Sequence, residues 1–395
     1  MNILFVGKCS TYATATATLH NTKRNPGFQI IKFIHLLLDG FKAHSNHVTI
    51  ISNVNAPAAG IYHEIENEII YNYIPTVNVP IWCQFVYYLQ AFYYTLKWGL
   101  HHRHDRIIFC DIFSSSSTVS GSMLAAKILR IPTCALVTDM ITIPLTTSLN
   151  THTLFWKMFF KFRKNKQYRS LKSYDSFVFL TKYMNEIYNP HNRPYIVMEG
   201  SVDHTFIPTS SSNKNVQRII MYAGAIEKEY GFNELIQAFM SLTISNIELH
   251  IYGHGKFVNQ LLEYQKLDKR IKYKGVVSNE QIVLEEQNAT LLVNPRLSHE
   301  QFVKYSFPSK TSEYMLSGTP LLTTKLPGIP DEYFQHLYTF EEESVDGFAR
   351  KLEEILSLPN TDLQRKGISA QTFVMENKNN LLQSKRILEL FKQLI

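Results

Sequence analysis

The sequence contains little cysteine and no long apolar run. Its 395 residues include four cysteines, and no two of them have the Cys-x-x-Cys spacing of a zinc site. Three of the four lie in or beside apolar segments, so we expect reduced, buried thiols in a cytoplasmic protein rather than disulfides. No stretch of 18 or more residues is cleanly apolar, and the first apolar run is too short for a signal peptide. We therefore predict neither a transmembrane helix nor a leader.

Acidic residues are scarce in the N-terminal half. Residues 1–200 contain 19 Lys and Arg against 10 Asp and Glu, whereas residues 201–395 contain 21 against 23. Much of the excess lies in FWKMFFKFRKNKQYRSLK, residues 155–172, where aromatic rings alternate with seven cations and no acid. This pattern is typical of a segment on an anionic membrane surface, although a core helix with a solvated basic face has it too. No nucleic-acid-binding motif accompanies it, so we expect no nucleic-acid partner.

Apolar strands alternate with amphipathic helices along both halves of the chain. This alternation predicts parallel sheets covered by helices on both faces. The pattern starts again after Gly200, so we predict Rossmann-like domains at 1–200 and 201–379, joined by a polar, Ser-rich linker at 203–217. Residues 380–395 form a terminal helix, for which a crossing back to the N-terminal domain is one arrangement. Two such sheets place their strand ends toward a shared cleft, where we expect a nucleotide.

Residues 307–324, FPSKTSEYMLSGTPLLTT, have the pattern of a short helix that feeds a strand. Pro308 suits the first turn and Gly318 suits the end of the helix. Lys310 and Glu313 lie one turn apart on one face. The unpaired N–H groups of the helix and a lysine in its first turn suit a diphosphate, while Glu313 can accept hydrogen bonds from a ribose diol. A surface Lys–Glu pair has the same pattern, but the position between two predicted strands favours a binding site.

Glycines follow two strands of the second half. Gly224 ends the run RIIMYAG, and Gly253 and Gly255 lie in IYGHGK. Glycines at strand ends let backbone amides approach a phosphate or a flat base. An ordinary strand-to-loop turn has the same pattern, and the G-x-G-x-x-G arrangement is absent.

The order of these motifs resembles the C-terminal domain of glycosyltransferase family 4. The segments in question are YGFNELIQAF, IYGHG, IKYKGVVSNEQI, ATLLVNPR and FPSKTSEYMLSGTPLLTT, and MNILFVG, VTDM, FLTKYMNE and EGSVDHTFIP in the first part of the chain are compatible. The resemblance implies the GT-B architecture, with two Rossmann-like domains facing a cleft. It also implies retaining, metal-independent sugar transfer from a nucleotide-sugar, of the type used for bacterial surface polysaccharides. The nucleotide-sugar is then a substrate, and neither a cofactor nor a metal is expected.

The resemblance also implies roles for individual residues. The nucleotide ribose is expected on Glu313 and the donor sugar near the loop of Phe307 and Pro308. The candidate donor site comprises Gly224, Gly253, Gly255, Tyr305, Phe307, Pro308, Ser309, Lys310 and Glu313. The candidate catalytic residues are Asp139, Lys310 and Arg296, and the candidate acceptor-binding residues are Gly7 and Asp139.

Three positions depart from the family pattern. Tyr305 stands where the family usually has a glutamate that faces the donor sugar, and Thr138 stands for a histidine beside Asp139. Ala225 and Tyr230 replace a basic pair that contacts the diphosphate. The positive charge must then come from elsewhere, and the candidates are Lys310, Arg296 and Lys304. We prefer Lys310, because it lies at a helix terminus.

The sequence thus predicts a glycosyltransferase with a lipid-linked or glycan acceptor, acting in the cytoplasm or at the inner membrane surface. Two alternatives fit the same fold. One is a nucleotide-sugar epimerase, which needs neither a second substrate nor a membrane face. The other is a catalytically inactive partner that uses the fold for binding, as the departures at Tyr305, Ala225 and Tyr230 would allow.

Overall fold

A computed structural model describes residues 1–22, 28–53, 63–74, 80–141, 165, 167–207 and 217–395. The chain divides into two compact units. Unit 1 comprises Met1–Ser201 and Asn380–Ile395, and unit 2 comprises Val202–Asn379. The predicted linker begins in unit 2, and residues 208–216 of it lie outside the described part of the chain.

Unit 1 contains an eight-stranded sheet with the order β3-β4-β2-β1-β5-β6-β7-β8. Its strands are β1 (Asn2–Val6), β2 (His47–Ser52), β3 (His63–Glu66), β4 (Ile69–Tyr73), β5 (Arg106–Asp111), β6 (Thr133–Val137), β7 (Ser176–Phe179) and β8 (Tyr195–Val197). All neighbouring strands are parallel except β3 and β4, which form an antiparallel hairpin. The central strands β5, β6 and β7 are almost completely buried, which explains why they are continuous apolar runs rather than alternating ones.

Five helices of unit 1 have both ends in the described residues before the boundary, and residues 167–171 are helical as well. They are α1 (Tyr12–Thr22), α2 (Phe28–Ala43), α3 (Pro80–His101), α4 (Ser116–Leu129) and α5 (Lys182–Tyr188). Helix α1 covers the segment YATATATLH, which has little apolar periodicity and which we did not predict as a helix. No helix in the described ranges has the length and apolar character needed to span a membrane. The four cysteines are all buried and free, as their apolar surroundings predicted.

Unit 2 contains a six-stranded, wholly parallel sheet with the order β11-β10-β9-β12-β13-β14. Its strands are β9 (Arg218–Ala225), β10 (Ile247–His254), β11 (Ile271–Gly275), β12 (Leu291–Asn294), β13 (Leu321–Thr324) and β14 (Tyr338–Phe340). Its helices are α6 (Phe232–Ser241), α7 (Val258–Leu267), α8 (Asn279–Asn288), α9 (Ser309–Ser317), α10 (Asp331–Phe334), α11 (Val345–Ser357) and α12 (Asn360–Asn377), with short 3-10 turns at Lys228–Tyr230 and Val303–Tyr305.

The terminal helix α13 (Asn380–Lys392) belongs to unit 1, where it packs against α2. A Cβ atom on Gly40 of α2 would lie 2.5 Å from the carbonyl oxygen of Asn380, so only glycine permits this close approach. Phe391 of α13 contacts Phe41 and Phe109, with ring centroids 6.0 and 5.4 Å apart. The chain therefore returns to its first domain at its end.

Each sheet has one place where the strand order reverses direction. In unit 1 this reversal point lies between β1 and β5, and in unit 2 it lies between β9 and β12. Loops at the carboxyl ends of the two strands diverge there, because their helices cross to opposite faces of the sheet. Such an edge is where open parallel sheets bind their ligands.

Candidate functional site

Helix α9 begins at the carboxyl edge of the unit 2 sheet, between β12 and β13. Pro308 is the N-cap residue, with φ −69° and ψ 105°, so the helix starts at Ser309, one residue later than predicted. Gly318 ends it in the left-handed conformation with φ +77°, as predicted. The first intrahelical bond runs from the N–H of Thr311 to the carbonyl of Pro308 at 2.8 Å. The N–H groups that precede it are the ones a helix offers to an anion.

Lys310 and Glu313 form an ion pair on α9. The Nζ and Oε2 atoms lie 2.6 Å apart, and about a fifth of the Lys310 side chain and a third of the Glu313 side chain are exposed. Burial lowers the pKa of Lys310, but Glu313 and Glu286 outweigh it, and the net pKa is raised. Lys310 is therefore a firmly protonated partner for Glu313, and its charge is largely compensated within the helix.

Tyr314 attaches α9 to the end of β9. Its hydroxyl accepts a hydrogen bond from the N–H of Ala223 at 2.7 Å and donates one to the carbonyl of the same residue at 3.0 Å. The side chain is fully buried, and burial raises its pKa well above the ordinary value. This contact fixes the helix start relative to the strand next to the reversal point. The sequence did not reveal it, since 91 residues separate the two partners.

The three predicted donor-site glycines lie where β9 and β10 end side by side. Gly224 and Gly253 are register partners, and a Cβ atom on Gly253, whose φ is +126°, would overlap the carbonyl of Gly224. A Cβ atom on Gly255 would likewise overlap the carbonyl of Ile226. The close approach of the segments that end β9 and β10 is by itself enough to require glycine at positions 253 and 255.

The aromatic residues before α9 lie in different surroundings. Phe307 is buried against Tyr333, with ring centroids 5.5 Å apart. Tyr305, at the position of the missing glutamate, ends a 3-10 turn and carries the Nζ atom of Lys304 4.8 Å from its ring centroid. Neither side chain replaces the lost carboxylate.

Arg296 follows β12 at the reversal point of unit 2. Its guanidinium carbon lies 4.3 Å from the ring centroid of Tyr230 and 5.4 Å from that of Phe302. Gly231, with φ +73°, allows this approach, because a Cβ atom there would overlap the carbonyl of Pro295. The structure therefore brings one predicted cation next to a position where the family pattern has a basic residue.

In unit 1, the reversal point brings together Gly7 and Asp111. Gly7 follows β1, and a Cβ atom on it would lie 3.1 Å from the Cβ atom of Asp111 at the end of β5. Asp111 is 5% exposed and accepts a hydrogen bond from the N–H of Phe113 at 2.9 Å. Burial raises its pKa to about 6, although this bond and Lys8 act in the opposite direction. We did not predict Asp111; a strand that ends in an acid, RIIFCD, was the available signal.

Asp139, the predicted acceptor-side carboxylate, lies one strand further along the sheet. It follows β6, its side chain is exposed, and its Oδ1 atom accepts a hydrogen bond from the N–H of Met140 at 2.7 Å. The structure thus places Gly7 at the reversal point and Asp139 beyond it. Within the described ranges, no group of three or more His, Cys, Asp or Glu residues is arranged to hold a metal ion.

Residues 203–371 match the family model described as glycosyl transferases group 1; these residues all lie within unit 2 and make up less than half of the chain. No curated protein matches the chain. Among solved structures, sucrose-phosphate synthase from Thermosynechococcus elongatus is 12% identical, with a TM-score of 0.67 over 100% of this chain and 99% of the other.

HepE of Anabaena in complex with UDP-glucose is 14% identical, with a TM-score of 0.64 and full coverage of both chains. The lipopolysaccharide outer core galactosyltransferase WaaB, in its apo form, is 14% identical, with a TM-score of 0.62 and full coverage of both chains. At these identities the likeness shows the fold. The predicted fold class, with two Rossmann-like parallel-sheet units of the GT-B type, is confirmed, and unit 2 resembles the group 1 glycosyl transferases.

Proposed function

We propose that the protein transfers a sugar from a nucleotide-sugar to an acceptor hydroxyl, with retention of the anomeric configuration. The observation that carries the proposal is the start of α9, with the Lys310–Glu313 pair at the carboxyl edge of a parallel sheet. This site lies within the segment that matches the group 1 glycosyl transferases. The UDP-glucose complex of HepE, which has the same fold, supports a nucleotide-sugar as the donor.

Unit 2 binds the donor in this proposal. The carboxylate of Glu313 accepts hydrogen bonds from the ribose hydroxyls, and Lys310 holds that carboxylate in place. The N–H groups at the start of α9 and the guanidinium of Arg296 face the diphosphate, which takes up negative charge as the sugar leaves. Tyr314 keeps the helix start at a fixed distance from β9.

The chemical step needs no pair of carboxylates. The bond between the anomeric carbon and the diphosphate oxygen breaks, and the acceptor oxygen forms a bond to the same face of that carbon. The acceptor proton passes to the departing phosphate oxygen, so atoms and charge balance without a metal ion. The protein contributes orientation and electrostatic stabilisation of the leaving group.

Unit 1 binds the acceptor in this proposal, through Gly7 and Asp139, and the acceptor is a lipid-linked or glycan intermediate. The WaaB structure, of a lipopolysaccharide galactosyltransferase, supports an acceptor of this class. The protein then works at the cytoplasmic face of a membrane. Most of the basic segment 155–172 lies outside the described residues; within it, Arg169 and Lys172 are exposed.

Helix α3 supports membrane contact. It exposes a stripe of large apolar side chains, among which Trp82 is 62% and Tyr93 is 58% exposed; the others are Phe85, Leu89 and Leu100. Helix α4 packs against α3 and adds exposed Leu124 and Ile128. Neither helix contains an acidic residue, and both carry lysines. Aromatic rings beside cations suit the headgroup region of an anionic bilayer.

The proposal is tested by incubating the protein with a panel of nucleotide-sugars and candidate acceptors and following release of the nucleoside diphosphate. We expect turnover with one donor, and an NMR spectrum in which the new linkage keeps the donor's anomeric configuration. An inverted product contradicts the retaining mechanism, and a protein that binds no nucleotide contradicts the whole proposal.

A second candidate is an inactive binding partner with the same fold. Tyr305 in place of the donor-sugar glutamate favours it, because a phenol ring does not supply the lost carboxylate. Tight nucleotide-sugar binding without turnover on any acceptor would support this alternative and contradict the transferase.

A further inference from the structure

Arg296 has an aromatic environment but lacks a matching acceptor. Its guanidinium stacks on the rings of Tyr230 and Phe302, which are themselves 6.3 Å apart. The Nε atom is buried and has no hydrogen-bond partner among the described residues, where no carboxylate is in ion-pair distance of this side chain either. A buried guanidinium donor without an acceptor is costly, so an anion that accepts a hydrogen bond from it is favoured at this position.

Arg270 shows what a structural arginine in the same unit looks like. Its guanidinium also lies over a phenyl ring, that of Phe239, at 5.0 Å. Unlike Arg296, it is paired with Asp268 at 2.7 Å and donates a hydrogen bond to the carbonyl of Leu242 at 2.8 Å. Stacking on an aromatic ring therefore does not by itself account for the missing partners of Arg296.

The position of Arg296 is firmly set. The hydroxyl of Thr324, at the end of β13, donates a hydrogen bond to its carbonyl oxygen. The preceding Pro295 lies against Gly231. Another buried donor is close in sequence, because the side-chain nitrogen of Asn294 is also without a partner in the described part of the chain. One unused donor thus lies on the last residue of β12 and the other two residues later, at the reversal point of the sheet.

We propose that Arg296 is the residue that binds the diphosphate of the donor, with Tyr230 and Phe302 holding its guanidinium in place. This inference rests on the proposed function. Lys310 is compensated by Glu313, whereas Arg296 keeps its full charge. A guanidinium has a planar fork that matches two phosphate oxygens, and stacking on a ring leaves the N–H groups in its plane free to donate. The ring of Tyr230, which follows β9, stacks against the guanidinium of Arg296, which follows the neighbouring strand β12.

The experiment compares nucleosides with nucleoside diphosphates. Calorimetric titration of the full-length protein with uridine, guanosine, adenosine and thymidine and their 5′-diphosphates identifies the preferred base. Arg296→Met should then weaken diphosphate binding about 10- to 100-fold, the loss expected for a charged hydrogen bond, and change nucleoside binding less than about twofold. Arg296→Lys keeps the positive charge but lacks the planar fork, so its affinity for the diphosphate should lie between those of the wild type and Arg296→Met. Lys269→Met, which removes an exposed charge at the opposite edge of the sheet, is the control.

Tyr230 provides an independent readout of positioning. Tyr230→Phe keeps the ring and should bind the diphosphate like the wild type. Tyr230→Leu removes the ring and should weaken diphosphate binding while nucleoside binding stays the same. Circular dichroism and thermal unfolding establish that each variant is folded.

Three outcomes overturn the inference. If Arg296→Met binds the diphosphate as tightly as the wild type, or weakens nucleoside and diphosphate equally, Arg296 does not bind the diphosphate. Equal diphosphate binding by Tyr230→Leu and Tyr230→Phe removes the role of the ring. A wild-type protein that binds no nucleoside diphosphate overturns the proposed function together with the inference.

Discussion

Units 1 and 2 share a plan but carry opposite charges at corresponding places. Both have a parallel sheet whose order reverses beside its first strand. At the reversal point of unit 2 lie the guanidinium of Arg296 and the N-terminus of α9. At that of unit 1 lies the buried carboxyl group of Asp111. Positive potential suits a diphosphate, which agrees with the proposed binding of the donor to unit 2.

The surfaces of the two units also differ in charge and in exposed apolar side chains. The excess of cations belongs to residues 1–200, and the apolar stripe of α3 lies in unit 1. If this face contacts a membrane, binding to vesicles depends on unit 1 alone.

The largest effect is expected on membrane association. If three or four cations of residues 155–172 reach an anionic leaflet, they contribute about 1 kcal/mol each. The protein should then sediment with anionic but not neutral vesicles and dissociate at high salt. Changing Lys161, Arg163, Lys164 and Lys166 to Ser should abolish the association.

The apolar contribution is tested on described residues. Trp82→Gln with Phe85→Gln on α3 should weaken vesicle binding, whereas Leu267→Gln with Val276→Gln, which are equally exposed on unit 2, should not. Equal binding to anionic and neutral vesicles would leave the basic segment as a solvated face.

The next effect concerns the pH dependence of stability at Asp111. Burial raises its pKa from an ordinary value of 3.8 to about 6. Between these values the folded protein holds a proton that the unfolded chain has released, so stability falls as pH rises from about 4 to 6. Asp111→Asn should remove up to about 3 kcal/mol of this fall. Urea unfolding of both proteins at several pH values measures this change in the free energy of unfolding.

Asp139→Asn, which alters an exposed carboxylate of the same unit, is the matched control. Nucleotide binding should stay the same in Asp111→Asn, because the residue belongs to unit 1. A pH profile of unfolding identical to that of the wild type would contradict the shifted pKa.

Glu313 tests the donor side. Glu313→Ala should weaken nucleoside binding by about 1.5–3 kcal/mol, because a charged hydrogen bond to the ribose is lost. Lys310→Met should weaken the binding of nucleoside and of nucleoside diphosphate by the same factor, because Lys310 acts through Glu313. Glu353→Ala removes an exposed carboxylate from the same unit and should have no effect. An unchanged dissociation constant for Glu313→Ala would remove the ribose assignment.

The smallest effect is expected for Tyr314. Tyr314→Phe leaves the N–H and carbonyl of Ala223 without their partner and should lower the free energy of unfolding by about 1–3 kcal/mol. Tyr195→Phe, on the exposed edge strand β8, should change it by less than about 0.5 kcal/mol. If both variants unfold at the same urea concentration, the Tyr314 hydroxyl does not fasten α9 to β9.

Part of the fold and of the candidate site could be predicted from the sequence. Continuous apolar runs gave the central strands, because strands buried on both faces have no polar alternation. Gly318 gave the end of α9, and helix periodicity put Lys310 and Glu313 on one face, because both depend on residues a turn apart. The hairpin of β3 and β4 was missed. Its turn holds Asn67 and Glu68 at positive φ, and no glycine marks it in the sequence.

The tertiary structure decided the rest, since it depends on residues that are distant in sequence. The pairing of Tyr314 with Ala223, the packing of α13 on α2, and the contact of Gly7 with Asp111 join segments separated by tens to hundreds of residues. Arg296 is the clearest case. The sequence named it as one of three cations, but the strand order brings it to Tyr230, and it forms no ion pair with a carboxylate of the described chain. Local periodicity carries no information on strand order, and strand order determines which charges meet.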